Sequence, residues 1–148
     1  MAARLTREWP QASDVVERAE ALRELVASLA VADAEAYAQV LGARRLSRGS
    51  AAREAEVGAA LSRAADVPLA VAEAASEVAT LAALVAEAGS EALRGDAVVA
   101  AAIAEAGAQG AAELVAINLG DSDDARVRRA KELAATTREA AQRVAGAP

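Results

Sequence analysis

Apolar residues recur at Leu22, Val26, Leu29, Ala36 and Val40 in steps that alternate between four and three once Asp33 is counted among them. That alternation marks the inner seam of a helix packed against other helices. The helix is expected to start at Asp14, with Glu17 three residues on as a variant of the capping box, and to run to about Leu46. Before it, residues from Ala2 onward read as already helical, and Pro10 breaks that piece after Trp9. Residues 44–49 form the first loop, and a third helix runs from near Ser50 to Ala65. Asp66-Val67-Pro68 either begins a new helix or kinks a long one. Apolar periodicity resumes at Leu69 and Val71, reaches Val85 and stops at Gly89-Ser90. Gly95-Asp96 caps the next helix, which runs to about Leu119 with the face Val99, Ile103, Ala106, Gly110, Leu114 and Ile117. Residues 120–124 form a turn, and a charged final helix spans 125–144. No linker, repeat or low-complexity segment divides the chain, so residues 1–148 are expected to form a single all-α, up-and-down helical bundle.

Composition sharpens this picture. Roughly a third of the chain is alanine, the best helix former, and aromatics are only 1%. Alanine faces bury little area, at about 25 cal/mol per Å², so one copy is expected to be modestly stable and a dimer is expected. Gly107 and Gly110 each cost about 1 kcal/mol relative to alanine in a helix interior. Close helix approach or room for a ligand is the return, and their face is expected to be buried.

The chain has no histidine and no cysteine. Ser-His-Asp and Cys-His nucleophilic sites, Cys/His zinc sites and Glu-x-x-His di-iron sites are therefore excluded. Acid–base chemistry falls to carboxylates, Lys131, Tyr37 and the arginines, and no metal is expected. A net charge of −6 argues against a nucleic-acid partner. The uncharged runs 97–104 and 106–112 are short for a membrane span, and the N-terminus lacks a signal peptide's apolar core, so a cytoplasmic location is expected.

Asp33 is the candidate for chemistry. A carboxylate in an apolar seam loses hydration, which raises its pKa and lets it trade protons near neutral pH. Its other reading is a polar seam residue that fixes register or pairs with an arginine. Glu35 points elsewhere and reads as a solvated face residue. Arg44, Arg45, Arg48 and Arg53 surround a helix start, where they suit an anion or bridge surface acids. Asp96 reads as an N-cap, and Asn118 as a C-terminal cap or a hydrogen-bonding residue for a ring. Asp121, Asp123 and Asp124 read as a turn and N-cap cluster, and Arg126, Arg128, Arg129 and Lys131 as a solvated helix face.

With the helices placed, an ordered set of segments stands out: Asp33-Ala34-Glu35-Ala36-Tyr37, Arg45-Leu46, Val67-Pro68-Leu69 with Ala72-Glu73, Gly89 followed by Asp96, and Ile117-Asn118-Leu119 before an acidic turn. Together they resemble the cyclodeaminase/cyclohydrolase family, the C-terminal domain of formiminotransferase-cyclodeaminase and its stand-alone bacterial relatives. The resemblance implies an all-helical dimer that acts on folate. Such an enzyme closes 5-formimidoyltetrahydrofolate to 5,10-methenyltetrahydrofolate with loss of ammonia, or hydrolyses the methenyl form. It implies Asp33 as the catalytic residue and Arg45, Arg48, Asp96 and Asn118 as substrate-binding residues.

Several positions depart from the family's pattern. The Pro-Gly-Gly-Gly-Ser segment and its Ala-rich helix are not in this chain, whose residues 1–6 look like that helix's end. The usual Tyr-Gly is Arg7-Glu8, the usual Leu-Pro-Lys is Leu46-Ser47-Arg48, the usual Gly-Asn is Gly89-Ser90, and Glu113 stands where an asparagine is expected. The alternative reading is therefore a non-catalytic family member serving as a helical scaffold or protein-binding module.

Overall fold

Alanine-rich sequence with apolar residues at helical spacing folds here as helices joined by short turns. The computed structural model describes residues 9–120 and 123–146. Among them run α1 (Ala12–Arg44), α2 (Ala51–Ala64), α3 (Asp66–Ala88), α4 (Arg94–Leu119) and α5 (Ala125–Gly146), with a 3₁₀ turn at Glu91–Leu93. No strand occurs among the described residues. The helical expectation for residues 1–8 lies outside them.

Boundaries follow local chemistry, with some corrections. α1 begins at Ala12, after Gln11, so Asp14 is a first-turn acid and not the cap. It ends at Arg44, two residues before the expected Leu46. Ser50 does cap α2, its hydroxyl accepting the Arg53 N–H at 3.2 Å. α4 starts at Arg94, whose preceding residue Leu93 makes no side-chain cap bond. Asp96 thus lies inside the first turn, where its charge favours the helix dipole without capping it. Gly89 ends α3 for a steric reason, since a Cβ there would sit 2.3 Å from the Val85 carbonyl oxygen. Gly120, with φ of 66°, ends α4.

Helices α3, α4 and α5 pack against one another as the central trio, with Ala79, Ala104 and Ala140 meeting in one layer. Most of the buried apolar residues are alanines; Val115 and Val144 are the largest fully buried apolar side chains. Thr137 is buried too, and its hydroxyl donates to the Leu133 carbonyl within the helix at 2.6 Å. The first half of α1 lies on this trio through Val15 and Leu22, which join Leu81, Val85 and Val144. Its second half leaves the trio and packs on α2, where Val40 meets Ala60 and Ala64. Judged by length and hydropathy alone, the stretches Ala12–Arg44, Ala51–Ala88 and Glu91–Leu119 are long and apolar enough to cross a membrane, which the short uncharged runs did not indicate. Averaging over a window tolerates the scattered charges that interrupt those runs.

Candidate functional site at the break between α2 and α3

The break between α2 and α3 is built around Pro68, which is buried in the first turn of α3. Proline has no N–H, so the carbonyl four residues back, that of Ala64, loses its helical donor. Asn118, near the end of α4, supplies one: its Nδ2 donates to the Ala64 oxygen at 3.3 Å. A second carbonyl at the break is met by Arg126 in the first turn of α5. Its Nη1 donates to the Ser62 oxygen and to Asp66 Oδ1, both at 2.7 Å. Its Nη2 donates to the Ser62 hydroxyl at 2.9 Å and to Asp124 Oδ2 at 3.0 Å. Asp124 also accepts the Arg126 backbone N–H at 2.8 Å, which caps α5.

These contacts set the local electrostatics. Hydrogen bonds from Arg126 hold the Asp124 carboxyl below its ordinary value. Hydrogen bonds to Asp124, and then to Asp66, raise the Arg126 guanidinium above its ordinary value. Sequence reasoning placed Arg126 on a solvated face. The structure corrects this: four groups from three parts of the chain converge on it. An arginine preceded by Asp124 at a predicted helix start was the available signal.

The helix that carries Asp33 packs on α2 near this break. Ala36 and Val40 pack with Ala60, Leu61 and Ala64, and Asp33 is one turn before Ala36 on the same face. Since α1 and α2 run antiparallel, that turn is level with the start of α3. Segments 33–37, 67–69 and 117–119 are therefore brought to one end of the bundle. The expected desolvation is not supplied within one chain, however, because Asp33 is exposed. Leu22 and Val40 at the seam's ends are buried, but Val26 between them is exposed and Leu29 only half-buried. The long α1 bridges from the trio to α2, and among the described residues its middle has no helix beneath it.

The other expected site residues are dispersed. Arg45 and Arg48 are exposed in the α1–α2 loop, and Arg53 donates to the Arg44 carbonyl at 3.3 Å. None of Arg44, Arg45, Arg48 and Arg53 forms an ion pair among the described residues, so they do not bridge surface acids there. Asp96 is 22 residues before Asn118 on the same helix, a separation of about 33 Å. One chain cannot bring both to one small molecule. Asp96 instead borders an open groove of about 740 Å³ between α1, α3 and α4, lined by Leu22, Val26, Leu81, Val85 and Ala100. Asp121 lies outside the described residues, Asp123 pairs with Arg128, and among the described residues no three acids cluster as a metal site would require.

The face around Gly107 and Gly110, expected to be buried, is exposed. A Cβ on Gly110 would meet no atom within 4 Å.

Similarity to known proteins bears on this arrangement. The solved structure of formiminotetrahydrofolate cyclodeaminase from Thermotoga maritima superposes with a TM-score of 0.85 at 29% identity, covering 97% of this chain and 76% of that one. No curated protein sequence matches the chain. The family model for formiminotransferase-cyclodeaminase matches residues 1–138. On that match, and with the fold agreeing, this chain belongs to the formiminotransferase-cyclodeaminase family.

Proposed function

We propose that this chain is a folate-dependent one-carbon enzyme working in the cytoplasm as a homodimer. Its reaction is either closure of 5-formimidoyltetrahydrofolate with loss of ammonia or hydrolysis of 5,10-methenyltetrahydrofolate. The observation that supports this reading is Asn118 bound to the Ala64 carbonyl at the Pro68 break, with Ala36, one turn after Asp33, packed on the same end of α2, in a chain of this family. In the closure, the neighbouring folate nitrogen attacks the formimidoyl carbon, a new C–N bond forms, and the bond to the departing nitrogen breaks. The formimidoyl group reacts as its amidinium cation, so one proton from Asp33 turns its nitrogen into the ammonia that leaves, and the carboxylate then takes the proton of the attacking nitrogen. In the hydrolytic variant the same carboxylate activates water. Arg45 and Arg48, about 18 Å or more along α1 from Asp33, carry the positive charge suited to the anionic glutamate end of a folate. Asn118 has its Nδ2 engaged at Ala64, which leaves its Oδ1 as the atom able to accept from a pterin.

The exposure of Asp33 favours one alternative, a family member that has kept the fold and serves as a scaffold. Titration calorimetry with 5-formyltetrahydrofolate, followed by turnover assays of the native and Asp33→Asn proteins, separates the two. Micromolar binding and a large loss of turnover in Asp33→Asn support the enzyme. No heat on titration, or unchanged turnover in the variant, sinks it.

A further inference from the structure

Asp33 and Tyr37 stand one turn apart on α1, the spacing at which side chains on a helix are neighbours. Tyr37 is 59% exposed, in a chain with one tyrosine, one tryptophan and no phenylalanine. Aromatic rings ordinarily contribute to a fold by being buried, but this core is filled by alanine, valine and leucine. Along α1 the ring continues an open stripe that runs from Val26 and Ala30 through Asp33 to Leu41, all of them exposed.

The side chains one turn to either side of Asp33 are Leu29, Ala30, Ala36 and Tyr37. None carries a charge, and Asp33 forms no ion pair among the described residues. Its carboxylate is negative by charge, and the face of the Tyr37 ring is negative by its quadrupole. Two negative surfaces side by side, with no cation of their own chain, complement a cation from outside. The ring narrows the choice further, because a flat, delocalised and weakly hydrated cation gains most from an aromatic face.

Both reactions of the folate reading begin from such a cation. The formimidoyl group is an amidinium, and the methenyl bridge spreads one positive charge over a carbon and two nitrogens. The formyl group, of nearly the same shape, is neutral. We propose that Tyr37 is a specificity-determining residue whose ring face holds the cationic one-carbon unit beside Asp33, so that the site takes formimidoyl and methenyl forms in preference to the formyl form. The identity of this ligand rests on the folate reading. The pairing of carboxylate and ring on α1 does not.

Tyr37→Leu and Tyr37→Phe test the assignment. Each is assayed for kcat/KM on the cationic substrate that the native protein turns over, 5-formimidoyl- or 5,10-methenyltetrahydrofolate. Each is also titrated calorimetrically with 5-formyltetrahydrofolate, neutral at the same carbon. Tyr37→Leu is expected to lower kcat/KM about 3–30-fold, the size of a cation–π contact, and to move the formyl Kd less than about twofold. Tyr37→Phe is expected to restore most of the loss, because the quadrupole belongs to the ring and not to the hydroxyl. Since the position is exposed, urea denaturation should show the Leu variant folded as the native protein is. Equal losses on the two ligands would make the ring a plain apolar surface and overturn the assignment. So would an unchanged kcat/KM in Tyr37→Leu, or no recovery in Tyr37→Phe. A native protein that neither turns over the cations nor binds the formyl ligand removes the folate reading and the assignment together. Native turnover that Tyr37→Leu leaves unmoved removes the assignment alone.

Discussion

Asn118 donates its side-chain amide to the carbonyl of Ala64, the acceptor that Pro68 leaves without a helical partner. Replacing Asn118 with alanine leaves that carbonyl short of a donor and is expected to cost about 1 kcal/mol. Pro68→Ala returns a backbone N–H to the same carbonyl. In that background the cost of Asn118→Ala should shrink, and a double-mutant cycle by urea denaturation measures the coupling. Additive costs would mean that Asn118 is there for another reason.

Arg126 joins Ser62, Asp66 and Asp124 across the same break. Arg126→Gln is expected to cost about 2 kcal/mol, because charge-assisted bonds are lost and two partners come from another helix pair. Arg126→Lys should recover only part, since an ammonium cannot reproduce the fork. Asp124 is held below its ordinary carboxyl value in the folded chain. The stability it contributes is therefore present above the unfolded value of 3.8 and lost as pH falls through the lower folded one. Thermal melts between pH 6 and pH 2 should fall less steeply in Arg126→Gln than in the native protein over that acid limb.

The helices were legible because alanine content and apolar spacing both point to them, and the Gly89 and Gly120 stops hold for steric and conformational reasons. Contacts across helices were less legible. Arg126 looked like its neighbours Arg128 and Arg129, and only the third dimension brings Ser62 and Asp66 to it. Asp33 was legible as a polar position in an apolar seam, but a seam says nothing about what covers it. Among the described residues nothing covers its middle, because α1 leaves the trio at about Leu22 and reaches α2 only near Ala36. The α4 face failed in the same way: its spacing was right, and its cover was assumed to come from the same chain.

Two glycines should respond in opposite directions. Gly58→Ala sits in the middle of α2 with nothing within 4 Å of its Cβ, so it is expected to stabilise by up to about 1 kcal/mol through helix propensity. Gly89→Ala would drive its Cβ to 2.3 Å from the Val85 carbonyl oxygen and should destabilise by about 1–3 kcal/mol as the end of α3 shifts. Guanidinium denaturation of the two variants checks the signs, and equal effects would contradict the steric account of the α3 stop.

Asp33→Leu separates the needs of the fold from those of the site. Within one chain the position is exposed, so the substitution should leave monomer stability within about 0.5 kcal/mol of native. A second copy covering the middle of α1 in the proposed homodimer would change this, because leucine would then add apolar area to a covered seam where a carboxylate must lose hydration. The variant is therefore expected to unfold at higher urea than the native protein, with a gap that widens as protein concentration rises, while turnover is lost. Stability gained at the expense of activity is the mark of a residue kept for chemistry. A gap that does not change with concentration would mean that the seam is not covered by a second copy, and unchanged turnover would mean that Asp33 carries no proton in the reaction.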